Sequence, residues 1–129
     1  MDEGRAKHVR AADLEALDIR VARAGGSVRY LEGAKHGLRT SVYQSRVPPG
    51  IGPRRHTHPY AEFFVLHAGQ ARFFAADDAF DAEAGDVVIV PPDVVHWFVN
   101  TGDDFLQHTA IHEAPVHGVA YLDEDPHTV

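Results

Sequence analysis

The chain has 129 residues, 44% of them hydrophobic and 24% charged, with a formal charge of −7, which suits one packed core and is too apolar for a disordered chain. The acidic balance, with no stripe of clustered Lys and Arg, argues against a nucleic-acid partner, whose phosphates call for cations. The absence of cysteine removes disulfides and thiolate ligands, and no apolar run approaches the length of a membrane span.

The opening residues MDEGRAKHVR are charged and lead into no apolar stretch, so a cytoplasmic location is the expectation. Residues 11–18, AADLEALD, predict a short helix, with Asp13 as its cap and Leu14 and Leu17 on one face. Residues 1–26 are thus expected to form an N-terminal arm with a short helix, and residues 27–129 a single domain. From Ser27 onward, short β-runs alternate with Gly, Pro and Asp punctuation. Strands are predicted at 27–31, 38–47, 61–67, 70–75, 86–90, 96–100 and 106–111. Turn residues near AGQA and NTGDD mark tight connections in an antiparallel meander or Greek key. No strand alternates with a long helix. The pattern therefore predicts an all-β protein, a small jelly-roll barrel with a central cavity.

Two segments carry the chemistry. In GIGPRRHTHPYAEFFVLHAG, residues 50–69, His56, His58 and Glu62 stand close together. Residues two apart in a strand share a face, so His56 and His58 can point together into a barrel lumen, about 7 Å apart by rise alone. Pro59 ends that run, and Glu62 opens the next with Phe64 and Leu66 on its face. In GDVVIVPPDVVHWFVN, residues 85–100, His96 shares a face with Phe98 and Asn100. Three imidazoles and a carboxylate suit a divalent transition metal.

These segments resemble the two motifs of the cupins. Gly50, His56, His58, Glu62 and Gly69 fit G-x5-H-x-H-x3–4-E-x6-G at every fixed position. Gly85, Pro91, His96 and Asn100 fit G-x5-P-x-G-x2-H-x3-N, with Asp93 in place of its middle glycine. Asp tolerates the left-handed backbone of a turn better than most residues. The resemblance implies a jelly-roll barrel in which His56, His58, Glu62 and His96 hold one metal ion per chain. Zinc is favoured, with iron, manganese or nickel as the other candidates, and a homodimer is implied.

Of the ten histidines, three are thereby given a role. His67 lies at an odd offset from Glu62 and should face away from the metal. His8, His36, His117 and His127 sit in turn-like or terminal contexts and are expected to be solvated. His108 and His112 share a strand face with Ala110, either as hydrogen-bonded residues of an outer sheet or as catalytic proton-transfer groups. Arg54 shares the parity of His56, where a guanidinium can grip a substrate carboxylate, and Arg55 points the other way. Tyr60 either leans over the metal or caps its loop. Phe64, Leu66 and Phe98 are the predicted apolar wall, with Tyr60, Phe64 and Phe98 counted with Arg54 as substrate-binding residues. Trp97, opposite His96, is expected in the core.

Cupins carry many chemistries, so the fold does not choose among them. The leading expectation is a metal-dependent isomerase or epimerase acting on a small 2-oxo acid or related carbonyl compound. In it, the metal polarises the carbonyl and His108 or His112 moves a proton at the adjacent carbon. In size and texture the chain is similar to small cupin epimerases of natural-product pathways, such as those acting on β-methylindolepyruvate, which implies a place in secondary metabolism. The alternatives are an Fe(II)-dependent dioxygenase and a non-enzymatic cupin that binds a small ligand.

Overall fold

A computed structural model describes residues 4–122. Among the described residues, eleven strands form two antiparallel sheets. The first sheet runs β1 (Glu15–Ala16), β2 (Ser27–Leu31), β3 (Ser41–Val47), β10 (Leu106–His112), β5 (Glu62–Ala68) and β8 (Val87–Val90) in spatial order. The second runs β11 (Ala120–Tyr121), β4 (His56–Thr57), β9 (His96–Asn100), β6 (Gln70–Ala75) and β7 (Asp78–Glu83). Inner-face residues alternate with outer ones along β5, β9 and β10, as a half-buried strand requires. This is the expected jelly roll.

The chain crosses between the sheets at the tight connections the sequence marked. Gly69 alone joins β5 to β6 in the opposite sheet, with φ of 86°. A Cβ there would stand 2.9 Å from the Phe105 carbonyl oxygen, so the position takes glycine for both conformation and space. Asp93, which replaces the motif glycine, has φ of 65° and holds the left-handed turn expected of it.

Three expectations of local structure are corrected. Residues 11–18 form no helix: a 3-10 turn at Ala11–Asp13 gives way to β1, with Asp13 inside the turn rather than capping it. Eight residues offer few helical hydrogen bonds against the cost of nucleation. Pairing Glu15 with Tyr30 and Ala16 with Arg29 satisfies the backbone instead, and Leu17 packs on the core. The α-helix of the arm is a single turn, α1 (Arg20–Arg23), which buries Val21. The acidic strand β7 was not predicted: DAFDAE buries only Ala82 and is held by the hairpin with β6. Trp97 lies outside the core, half-buried, stacked on Phe74 at 4.7 Å with the Arg55 guanidinium over its ring.

Strand register builds the lumen in layers. Ser41, His112 and Glu62 pair across β3, β10 and β5 at one end. Tyr43, Ala110 and Phe64 form the next layer, then Ser45, His108 and Leu66. Val47 and Leu106, both 0% exposed, close the far end.

Candidate metal centre

His56 lies opposite His96 across β4 and β9, so two imidazoles come from one sheet at the same height. His58 follows on the same parity, and Glu62 enters from β5 of the other sheet. One ligand atom from each of the four lies within 4.8 Å of the others. The Nε2 atoms of His58 and His96 stand 3.1 and 3.0 Å from Glu62 Oε1.

Backbone carbonyls orient the three rings. Nδ1 of His56 meets the Arg54 carbonyl at 2.5 Å, that of His58 the Gly118 carbonyl at 2.6 Å, and that of His96 the Val94 carbonyl at 2.8 Å. Each carbonyl calls for an N–H, which places the proton on Nδ1 and leaves the Nε2 lone pair for a metal. His58 Nε2 is buried with no hydrogen bond, an orphan acceptor that a cation satisfies. Burial, with neighbouring His96, pushes the His56 pKa down to about 3, so that ring is neutral at neutral pH. Burial acts to raise the Glu62 pKa, but the rings of His112, His58 and His96 around the carboxylate outweigh it and hold the carboxyl well below its ordinary value. Three imidazoles that present Nε2 and an anionic carboxylate fit a divalent ion.

A cavity of about 100 Å³ opens beside this cluster, lined by Arg54, Phe64, Phe98, His108 and His112 among others. His112 Nε2 donates to Glu62 Oε2 at 3.0 Å, and its Nδ1 lies 2.8 Å from the Tyr60 hydroxyl. Arg54 is 5% exposed, with its guanidinium 4.4 Å from the Tyr121 ring centroid and its Nε without a hydrogen bond. Arg55 is exposed and His67 faces outward to Thr109, as expected.

The remaining expectations sort cleanly. Tyr60 does not line the cavity; it stacks on His58 at 5.0 Å and secures the Gly118 loop and His112. Leu66 is also outside the lining, buried one layer below Phe64. His108 and His112 both point inward rather than lying on an outer sheet, but only His112 touches the cluster. His8 is exposed, His36 is half-buried with an unpartnered Nδ1, and His127 lies outside the described residues. His117 is exposed, as expected, but it also lines the cavity and hydrogen-bonds the Tyr43 hydroxyl through Nδ1. Tyr43 was missed as well, although it shares the parity of Ser41 and Val47 on β3.

The profile of the family described as "Cupin domain" matches residues 43–111. This chain belongs to the cupins. The cupin is 37% identical over 84 residues to Protein SchB of Streptomyces halstedii, a match covering 63% of this chain and 61% of SchB. It therefore spans about three fifths of that relative's length. Among solved structures it is similar to oxalate decarboxylase from Bacillus subtilis, with a TM-score of 0.76 and 25% identity over 88% of this cupin and 31% of that chain. It is also similar to a cupin-like protein from Thermotoga maritima, with a TM-score of 0.67 and 29% identity over 75% of each chain.

Proposed function

We propose that this cupin is a metal-dependent isomerase or epimerase that moves a proton beside the carbonyl of a small 2-oxo acid or related compound, with zinc as the favoured metal. The reading rests above all on His112, a non-ligand imidazole in the cavity 3.0 Å from the Glu62 carboxylate. His56, His58, Glu62 and His96 would hold the ion, which supplies Lewis acidity towards a bound oxygen when present.

The chain's own groups supply the rest. Arg54 is buried beside the cluster with an unused donor, and its guanidinium suits a carboxylate. His112 holds or takes the proton, its ring fixed by Glu62 on one edge and Tyr60 on the other. The Tyr60 hydroxyl donates to the Gly118 carbonyl and accepts from the Gly118 N–H, which fixes it against the His112 ring. Phe64 and Phe98 keep the cavity floor apolar and exclude water. The cavity is small, about 100 Å³, so the substrate body is no larger than one ring. That is too little for an indole, and the reading commits to a smaller acid, in secondary metabolism as the resemblance implies. The name oxalate decarboxylase identifies a small acid as the substrate of a structural relative, which supports this size.

A homodimer belongs to the same proposal. Ile89, Phe63, Ile111 and Val42 form a register-aligned row across the outer face of the larger sheet, and Ile89 is 73% exposed. Sedimentation at micromolar concentration should show a dimer, and a monomer throughout would contradict it.

Metal analysis of the purified protein combined with an oxygen-uptake assay tests the chemistry. The expected result is one ion per chain and no oxygen consumption when 2-oxo acids are added. Bound iron with stoichiometric oxygen uptake would transfer the site to dioxygenase chemistry. Saturable acid binding without any turnover would make it a binding protein.

A further inference from the structure

His108 lies on the lumen face of β10, two inward positions from His112. By strand rise this is about 14 Å along the backbone from His112, too deep to serve the metal cluster. It lines the same cavity, yet both ring nitrogens are buried and neither has a hydrogen-bond partner. Phe64 and Phe98 stand edge-on to it, with ring centroids 5.6 and 5.2 Å away. Ser45, its register partner on β3, also lines the cavity. Val47 and Leu106 close the lumen below.

An unpartnered polar group in such surroundings opposes folding, and leucine fills a similar volume without that penalty. Packing therefore does not account for an imidazole here; a ligand does. We propose that the inner end of the cavity recognises a hydroxyl group on a small flat ring, with His108 as its hydrogen-bonding partner.

Burial pushes the His108 pKa down to about 4, so the ring is neutral near pH 7, with one nitrogen donating and the other accepting. Either tautomer is open to a neutral imidazole, so the nitrogen that meets a ligand can donate or accept. A hydroxyl answers both. A carboxylate does not, because a neutral imidazole leaves its buried charge uncompensated. The anionic end of a substrate therefore belongs at Arg54 and the cluster, and the neutral hydroxyl at His108. Phe64 and Phe98 pack edge to face on each other, 5.8 Å between centroids, and together present an aromatic wall beside His108 to a flat ring. On the proposed acid chemistry, which this inference extends, the substrate becomes a small hydroxylated aryl or cyclic 2-oxo acid.

Phenol and benzene test the inner site without engaging the acid chemistry, since neither carries a carboxylate. Their affinities are to be measured by titration against the metal-loaded wild type and His108→Leu, following imidazole nitrogen signals in protein labelled with ¹⁵N-histidine. In the wild type phenol should bind about tenfold tighter than benzene and shift the His108 signals. In His108→Leu the preference should vanish or reverse, with metal content kept and the melting temperature not lowered. An equal phenol-to-benzene ratio in the two proteins, binding that leaves the His108 signals unmoved, or no binding of either probe would overturn the proposal. The wild-type signals decide the matter even if the variant fails to fold. Failure of the acid chemistry shows itself separately, as carbonyl acids that never exchange a proton with solvent.

Discussion

His112 and His108 leave the same strand on the same face, with only Ala110 between them on that face, and their surroundings make them different groups. His112 meets a carboxylate on one edge and a tyrosine hydroxyl on the other, at the mouth of the lumen beside four side chains able to hold a metal ion. His108 meets the rings of Phe64 and Phe98 and no polar partner at all. One imidazole is tied into a charged network; the other is stripped of charge by burial. Parity brings both into the barrel, and neighbours from other strands and loops decide what each can do.

The largest effect should come from the network to which His112 is tied. A His58→Ala, His96→Ala double variant should lose its metal and all metal-dependent turnover. It should also lose the stability that binding confers, about 2.7 kcal/mol at a hundredfold excess of ion over its dissociation constant. Full occupancy by elemental analysis would break the assignment of the cluster.

Next in size is the contrast between the two histidines. His112→Ala should slow proton exchange of a carbonyl acid by about 10²–10⁴-fold while keeping its metal. His108→Leu should instead change which acids bind and leave the exchange step of a bound acid much nearer the wild type. Equal losses of rate from both would erase the distinction.

The third expectation is a pH dependence that belongs to one of the pair. His108 in the unfolded chain takes up a proton below its ordinary value of 6.5, whereas in the fold burial holds it neutral down to about 4. The unfolded state binds more protons across that window, so stability falls as pH drops through it. Integrated over the window, the loss is about 3 kcal/mol. Denaturant melts at pH 7 and pH 4 should show a smaller loss in His108→Leu than in the wild type. An identical loss in both would mean that His108 is solvated after all.

The smallest effect concerns Arg54. Arg54→Ala should weaken an acid ligand by about 1.5–3 kcal/mol without changing metal content. Unchanged affinity would return Arg54 to a packing role against Tyr121.

Most of the barrel and the clustering of four polar side chains were legible because period-two alternation and closely spaced polar residues are local signals. Ser27–Leu31, Gln70–Ala75 and His96–Asn100 have the predicted bounds, and His56, His58, Glu62 and His96 converge as their parity implied. What was not legible depends on partners distant in sequence. β7 carries three acidic residues and is a strand only because β6 pairs with it. His117 reads as a loop residue, and nothing local shows that its ring reaches Tyr43 on β3. The Gly118 carbonyl that orients His58 is invisible for the same reason. The leucines at 14 and 17 carried a helical spacing, but β2 offered the arm an edge to pair with. His108 and His112 shared one pattern, and the layers that separate them appear only once β3 and β5 are set in register.

Proton transfer by His112 beside a metal ion is open to a solvent-exchange experiment. Zinc-loaded protein incubated with small 2-oxo acids in D₂O, without oxygen, should place deuterium on the carbon next to the carbonyl of at least one of them. His112→Ala, with its metal intact, should do so about 10²–10⁴-fold more slowly. Exchange that never exceeds the spontaneous rate, or that the His112→Ala variant performs as fast as the wild type, would contradict the account.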